Sequence, residues 1–135
     1  KIVTGKSFGG AVEYVLRKEK ARLLESDGVD TESIRTIIDD FNFQRKARRE
    51  IAKVVGHISL SFHKDDTPKL TDERMRELAA AYMECMGIAD TQYIVARHND
   101  TEHPHLHIIY NRVKYDRTLV ADTSKSANSL NADTG

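Results

Sequence analysis

The sequence predicts an α/β domain of the α+β type, an antiparallel sheet with helices packed on it in a ferredoxin-like arrangement. Two β-rich runs, residues 92–98 and 105–113, are joined by a short polar link and predict an antiparallel hairpin at the centre of the sheet. The length of 135 residues, with 39% hydrophobic and 31% charged residues, suits one globular domain. We therefore predict a single domain over residues 1–135, in which the Ser-, Asn- and Asp-rich segment 123–135 is a flexible tail.

The N-terminal half is predicted as one strand and two helices. Residues 1–4 suit a short strand, and Ser7 can cap a helix that runs from Phe8 to Leu24. A turn-rich stretch, residues 26–30, leads to a second helical region from Glu32 to Val54, in which isoleucine and phenylalanine recur at helical spacing.

The C-terminal half adds a strand and a helix before the hairpin. Residues 56–63 alternate as a strand does, with one apolar face and one face of His and Ser side chains. Thr71, followed by two acidic residues, marks the start of a helix that ends at Gly87. Residues 118–122 suit an additional edge strand. Because no apolar run approaches the length that a membrane helix needs, we expect an intracellular, cytoplasmic protein.

The net charge of zero is a sum of blocks of opposite sign. Residues 1–22 and 44–53 are basic, whereas residues 23–43 are acidic. The second basic block predicts a basic helix face, which is either a solvated face with ion pairs to the acidic stretch or a surface that contacts phosphate. Its candidate phosphate-contacting residues are Arg45, Lys46, Arg48 and Arg49. Zero net charge therefore does not exclude a nucleic-acid partner.

Histidines are concentrated near the predicted hairpin, where His98, His103, His105 and His107 fall within ten residues. Side chains alternate between the faces of a strand, so His105, His107 and Asn111 would project the same way. His98, at the end of the neighbouring strand, can supply a third imidazole. Three neutral imidazoles leave the charge and the open positions of a divalent metal ion available to an anionic ligand. We therefore predict a catalytic metal site held by His98, His105 and His107.

Asp100 and His103 are candidates to hydrogen-bond the ligating imidazoles and so to fix their tautomers. Two alternatives remain open, in which the histidines are solvated loop residues or form a structural zinc site with His103 as the fourth ligand. We do not expect His57 and His63 to be ligands. The intrinsic affinity of a three-histidine site favours zinc, nickel or copper.

The run from His98 to Arg112 closely resembles the third motif of plasmid and conjugative-element relaxases, the MobA/MobL and VirD-type mobilisation nucleases. It reads His-Asn-Asp-Thr-Glu-His-Pro-His-Leu-His-Ile-Ile-Tyr-Asn-Arg. Residues 7–16 resemble the first relaxase motif, and residues 56–63 resemble the second, in the order of the family. The resemblance implies the fold of the His-hydrophobe-His (HUH) endonuclease superfamily.

The resemblance implies a role for each matching residue. Tyr14 would be the nucleophile, and the three histidines would bind the metal. Ser61, with Ser59 as the second choice, would contact DNA phosphate near the nick. Asn111 and Arg112 would support the site or the bound strand. Taken without the resemblance, a tyrosine at position 14 is typical of a half-buried packing residue.

The resemblance further implies a site- and strand-specific DNA nickase that acts on single-stranded DNA at an origin of transfer in bacteria. It would form a 5′-phosphotyrosyl intermediate, use magnesium or manganese, and work with accessory mobilisation proteins and a coupling protein. Relaxase domains usually extend further than this chain, so we expect a truncated domain. The alternatives are a rolling-circle replication initiator, a transposase of the same superfamily, or a non-catalytic DNA- or metal-binding accessory module.

Overall fold

The fold is a five-stranded antiparallel sheet packed with helices, in a computed structural model that describes residues 2–17, 19, 21–99 and 103–121. The elements in chain order are β1 (Ile2–Gly5), α1 (Phe8–Leu16), β2 (Ala21–Asp27), α2 (Ile34–Arg45), β3 (Val55–Ser61), α3 (Asp72–Cys85), β4 (Tyr93–His98) and β5 (His105–Asn111). Short 3₁₀ turns follow α2 and β3, at Lys46–Arg48 and Lys64–Lys69. The architecture confirms the predicted α+β class.

The strand order is β1-β3-β5-β4-β2, and every neighbouring pair is antiparallel. β5 therefore lies at the centre of the sheet and pairs with β3 on one side and β4 on the other. The predicted hairpin is present as β4 and β5, and its central place in the sheet is confirmed.

The two faces of the sheet carry separate apolar cores. On one face, α3 packs against residues such as Ile58, Ile108 and Tyr110. On the other face, α1 and α2 pack against residues such as Ile94 and Ile109. The rings of Phe8 in α1 and Phe41 in α2 stack with their centroids 4.6 Å apart, which joins the two helices. The histidine side of β5 is the face that α1 and α2 cover.

The predicted helix from Phe8 to Leu24 is wrong in its second half. Helix α1 ends at Leu16, and residues 21–27 form β2, which pairs with β4 along the edge of the sheet. Leu23 and Leu24 are helix formers by propensity, but as strand residues they pack against the cores on opposite faces of the sheet. Backbone pairing and this two-sided packing outweigh local propensity.

The predicted second helix, Glu32 to Val54, is shorter than expected. Ser33 caps α2, since its hydroxyl accepts from the Thr36 N–H at 3.1 Å, and the α-helix ends at Arg45. The basic segment 44–53 is therefore a helix end, a 3₁₀ turn and a loop rather than one basic helix face.

The strand over 56–63 and the helix that Thr71 caps are confirmed as β3 and α3. In residues 118–121, the structure forms one isolated bridge, between Val113 and Leu119, in place of an edge strand. The predicted tail, 123–135, lies outside the described residues. No helix in the described part of the chain is long and apolar enough to cross a membrane.

Candidate active site

The register of the sheet gathers the predicted His and Ser residues at one end of one face. His98 on β4 lies directly opposite His105 on β5, and His107 follows on the same face. On the other side of β5, Ser61 lies opposite His105, and Ser59 lies opposite His107. Directly opposite residues in an antiparallel pair have Cβ atoms about 5 Å apart, so these side chains are close neighbours.

His107 is the centre of a group of four imidazoles. Its ring centroid lies 4.2 Å from that of His98, 5.1 Å from that of His57 and 6.3 Å from that of His105. His98 and His107 are buried, whereas His57 and His105 are half-buried. We call His57, His98, His105 and His107 the imidazole cluster. His57 is not among the predicted ligands, but the structure brings it into contact with the central ring.

Two hydrogen bonds hold three of these rings. Nε2 of His98 donates to the carbonyl oxygen of Val15 at 2.6 Å, which leaves Nδ1 as the lone-pair nitrogen of the neutral ring. Nε2 of His57 and Nδ1 of His107 share a hydrogen bond of 2.9 Å. Burial, with the nearby His98 as the next cause, lowers the pKa of His57 to about 4, so His57 is neutral at neutral pH.

Tyr14 lies on the side of α1 that faces the imidazole cluster. Its ring is edge-on to His57 and His107, with centroid distances of 6.1 and 6.2 Å, and the residue is 55% exposed. Val12 and Val15 are fully buried and anchor α1 on the sheet. Tyr14 lies between them in the sequence, on a side of α1 that remains open to solvent. The carbonyl that accepts from His98 belongs to the next residue, Val15. The end of α1 is therefore tied to the cluster next to Tyr14.

The other four tyrosines, all within the described residues, lie elsewhere. Tyr110 is buried in the core under α3, and Tyr82 and Tyr93 pack against that same core. The hydroxyl of Tyr115 donates to Asp27 at 2.7 Å. Tyr14 is thus the tyrosine whose ring contacts the imidazole cluster.

The donor chemistry of the cluster fits a divalent metal ion, but the rings are not arranged as a finished site. Neutral imidazoles are common metal ligands, and the bond from His98 to a backbone carbonyl is the kind of contact that orients a metal-binding histidine. Within the part of the chain that the structure describes, however, no group of three or more His, Cys, Asp or Glu side chains is placed to hold a metal ion.

Asn111 and Arg112 are not brought to the cluster. Asn111 lies four positions after His107 in β5, which is roughly 13 Å along the strand. Asn111 is fully buried, and its amide donates to the Phe41 carbonyl at 3.2 Å and to Gln92 Oε1 at 3.0 Å. Arg112 is 7% exposed and donates to two backbone carbonyls, those of Lys53 and Val120. Both side chains hold the fold together at the far end of β5.

The two residues predicted to orient the metal ligands are placed differently. His103 is exposed, and its Nδ1 lies 3.2 Å from the carbonyl oxygen of Phe62. Its ring stands 6.2 Å from that of His63, with the two planes nearly perpendicular. Asp100 lies outside the described residues.

The basic candidates divide into two pairs. Arg45 donates to the Lys6 carbonyl at 2.7 Å, and Arg48 donates to the Arg117 carbonyl at 2.9 Å and to Glu50 at 2.7 Å. These two arginines connect chain segments. Lys46 and Arg49 are exposed, and within the described residues neither forms an ion pair.

The sequence of the chain matches a known protein family over most of its length. The family described as "Relaxase: MobA/VirD2-like, nuclease domain" matches residues 14–132. The chain belongs to this relaxase family. No curated protein matches the chain.

Membership supports general statements about this relaxase domain. The family consists of DNA-nicking nuclease domains connected with mobilisation, which bind single-stranded DNA and use divalent metal ions.

Proposed function

We propose that this relaxase domain nicks one DNA strand at the origin of transfer of a plasmid or other mobile element, with Tyr14 as the nucleophile. One observation carries the proposal. Tyr14 is exposed to solvent on one side and contacts the rings of His57 and His107 on the other. A scissile phosphate bound between the phenol and the imidazole cluster would meet both the nucleophile and the metal-binding side chains.

The reaction is a transesterification. The Tyr14 oxygen forms a bond to phosphorus while the bond from phosphorus to the 3′ oxygen breaks. The phenol loses its proton, and the departing 3′ oxygen gains one, so the products are a 5′-phosphotyrosyl protein and a free 3′-hydroxyl. Because one phosphodiester replaces another, the strand can be rejoined by the reverse reaction without a nucleotide cofactor.

Three histidines of the cluster, His98, His105 and His107, are the proposed metal ligands. They come from two adjacent strands, and Ser61 and Ser59 lie beside them on β3 for contacts to phosphate. When bound, a magnesium or manganese ion would supply positive charge to the non-bridging oxygens of the scissile phosphate. Zinc or nickel would also suit imidazole ligands in a purified sample.

Other predicted residues have supporting roles in this proposal. Lys46 and Arg49 are exposed cations for the DNA backbone, whereas Arg45 and Arg48 shape the segment that carries them. Asn111 and Arg112 hold the end of β5. The partners would be single-stranded origin DNA, accessory mobilisation proteins and a coupling protein in the bacterial cytoplasm.

The proposal is tested by covalent trapping. The chain is incubated with manganese or magnesium and labelled single-stranded oligonucleotides that tile candidate origins, and SDS-resistant adducts are counted. We expect an adduct with the wild type and with Tyr82→Phe, a matched variant of a tyrosine on α3 at the other face of the sheet, but none with Tyr14→Phe. EDTA should abolish the adduct. An adduct formed by Tyr14→Phe, or one that is insensitive to EDTA, would contradict the proposed mechanism.

A further inference from the structure

An exposed aromatic ring lies at the end of α2, away from the imidazole cluster. Phe43 is 74% exposed, more than any other large hydrophobic residue that the structure describes. A single exposed hydrophobic residue is ordinary on a protein surface, so its surroundings decide whether it means anything.

The surroundings of Phe43 are grooved and basic. A shallow groove of about 370 Å³ lies beside the ring, and Lys46, Tyr115 and Arg117 contribute to its lining. A second groove, of about 380 Å³, is lined in part by Lys46 and Arg49. Because Lys46 lines both, the two grooves adjoin, and we call them together the Phe43 groove.

The cations of the Phe43 groove are available to a ligand. Within the described residues, the side chains of Lys46, Arg49 and Arg117 form no ion pair, and Nζ of Lys46 lies 6.0 Å from the centroid of the Phe43 ring. The nearby acids already have partners. Glu50 accepts from Arg48 at 2.7 Å, Asp116 accepts from Thr118, and Asp27 accepts from Tyr115.

The Phe43 groove is held beyond the far end of β5. Gln44, next to Phe43, donates to the Lys114 carbonyl at 2.7 Å, and Asn111 donates to the Phe41 carbonyl at 3.2 Å. These bonds place the end of α2 at the C-terminal end of β5, and Asn111 is already roughly 13 Å along the strand from His107. A ligand in this groove is therefore remote from Tyr14.

We propose that the Phe43 groove binds single-stranded DNA outside the nick site, with a base stacked on Phe43 and phosphates beside Lys46, Arg49 and Arg117. An aromatic platform flanked by cations is the arrangement that binds unpaired nucleotides without reading their sequence. A duplex offers no unstacked base to the ring, so the exposed aromatic favours single strands. The proposal extends the proposed function, because it gives the strand a second point of attachment.

A fluorescent reporter can test the groove directly, since the chain contains no tryptophan. Phe43→Trp is made in the Tyr14→Phe background, so that cleavage does not interfere, and is titrated with oligothymidylate. Stacking of bases on the new indole should quench its fluorescence. The matched control is Ala80→Trp, an exposed position on α3, which packs on the other face of the sheet and should not be quenched. No quenching at position 43, or equal quenching at position 80, would overturn the proposal.

Two further measurements sharpen the result. Phe43→Ala should weaken binding of a long oligonucleotide roughly 5- to 100-fold, and Phe43→Tyr should restore it. Binding of an oligonucleotide too short to reach from the nick site to the Phe43 groove should be unaffected. Duplex DNA of the same length should quench Phe43→Trp far less than the single strand does; equal quenching would overturn single-strand stacking. Adducts formed through Tyr14 are counted in a separate experiment. Adducts without quenching would refute DNA binding in the Phe43 groove alone. Quenching without adducts would refute the proposed nicking reaction alone.

Discussion

The two ends of β5 place polar side chains on the same face of the sheet, but those side chains have different partners. At the first end, His107 contacts three other imidazoles and the exposed ring of Tyr14. At the other end, Asn111 is fully buried. Its side-chain Nδ2 donates to the Phe41 carbonyl and to Gln92 Oε1, and its side-chain Oδ1 accepts from the Val113 N–H at 3.0 Å.

This difference separates residues that hold the fold from residues that can act on a ligand. A buried polar group that hydrogen-bonds backbone atoms and a neighbouring side chain is satisfied once the chain has folded, and losing it leaves those atoms unpartnered. Imidazoles that contact one another beside an exposed tyrosine can exchange those contacts for a metal ion or a phosphate. Burial alone does not distinguish the two ends, because His107 and Asn111 are both buried.

The largest expected effect comes from His107→Ala, which removes the centre of the imidazole cluster. We expect formation of the phosphotyrosyl adduct to fall roughly 100- to 1,000-fold or more, because the proposed metal site loses a ligand at the phosphate. The free energy of unfolding should change by less than the activation free energy of nicking does. His63→Ala, an exposed histidine outside the cluster, is the matched control and should nick normally. Normal nicking by His107→Ala would remove the cluster from the active site.

The opposite outcome is expected at the other end of the strand. Asn111→Ala leaves the Phe41 carbonyl, Gln92 and the Val113 N–H without their partner, and should lower the free energy of unfolding by about 3 kcal/mol. Urea denaturation measures this loss. Asn111→Asp keeps an acceptor for Val113 but sets a carboxylate against the Phe41 carbonyl, so it should be at least as destabilising.

Nicking by folded Asn111→Ala should match that of the wild type when both are compared per folded molecule. A variant that stays stable but no longer nicks would place Asn111 in the active site, as the relaxase motif alone implies, and would erase the distinction between the two ends of β5.

The sequence was a good guide where periodicity decides. Alternation along 105–111 assigns His105 and His107 to one face, and the short link of the hairpin sets His98 opposite His105. Nearness in sequence was a poor guide, because Asn111 follows His107 in the same motif while the rise of a strand carries it away from the site. Tyr14 was found through the resemblance alone, since the packing of α1 on the sheet is not readable from its residues.

Pairing between strands that are distant in sequence explains why His57 and β2 could not be predicted. His57 lies opposite Ile109, which makes it the diagonal neighbour of His107 across β3 and β5. To predict this contact, one must know the register between β3 and β5, which are far apart in sequence. The composition of the chain gives no information about that register. Local propensity predicts a helix at β2 for a similar reason, because the pairing of β2 with β4 is also non-local.

The smallest expected effect tests whether His57 orients the central ring. When His107 carries its hydrogen on Nδ1, it donates to Nε2 of His57, and the lone pair that can bind a metal ion is then on Nε2 of His107. His57→Ala removes this acceptor and should lower both manganese affinity and nicking by about 10- to 100-fold, the usual effect of losing a group that orients a metal ligand. His57→Gln can place an amide oxygen near the lost nitrogen and should recover most of both. Equal loss in the two variants would mean that His57 contacts the metal or the phosphate itself. The cluster at the first end of β5 would then act with four imidazoles rather than three.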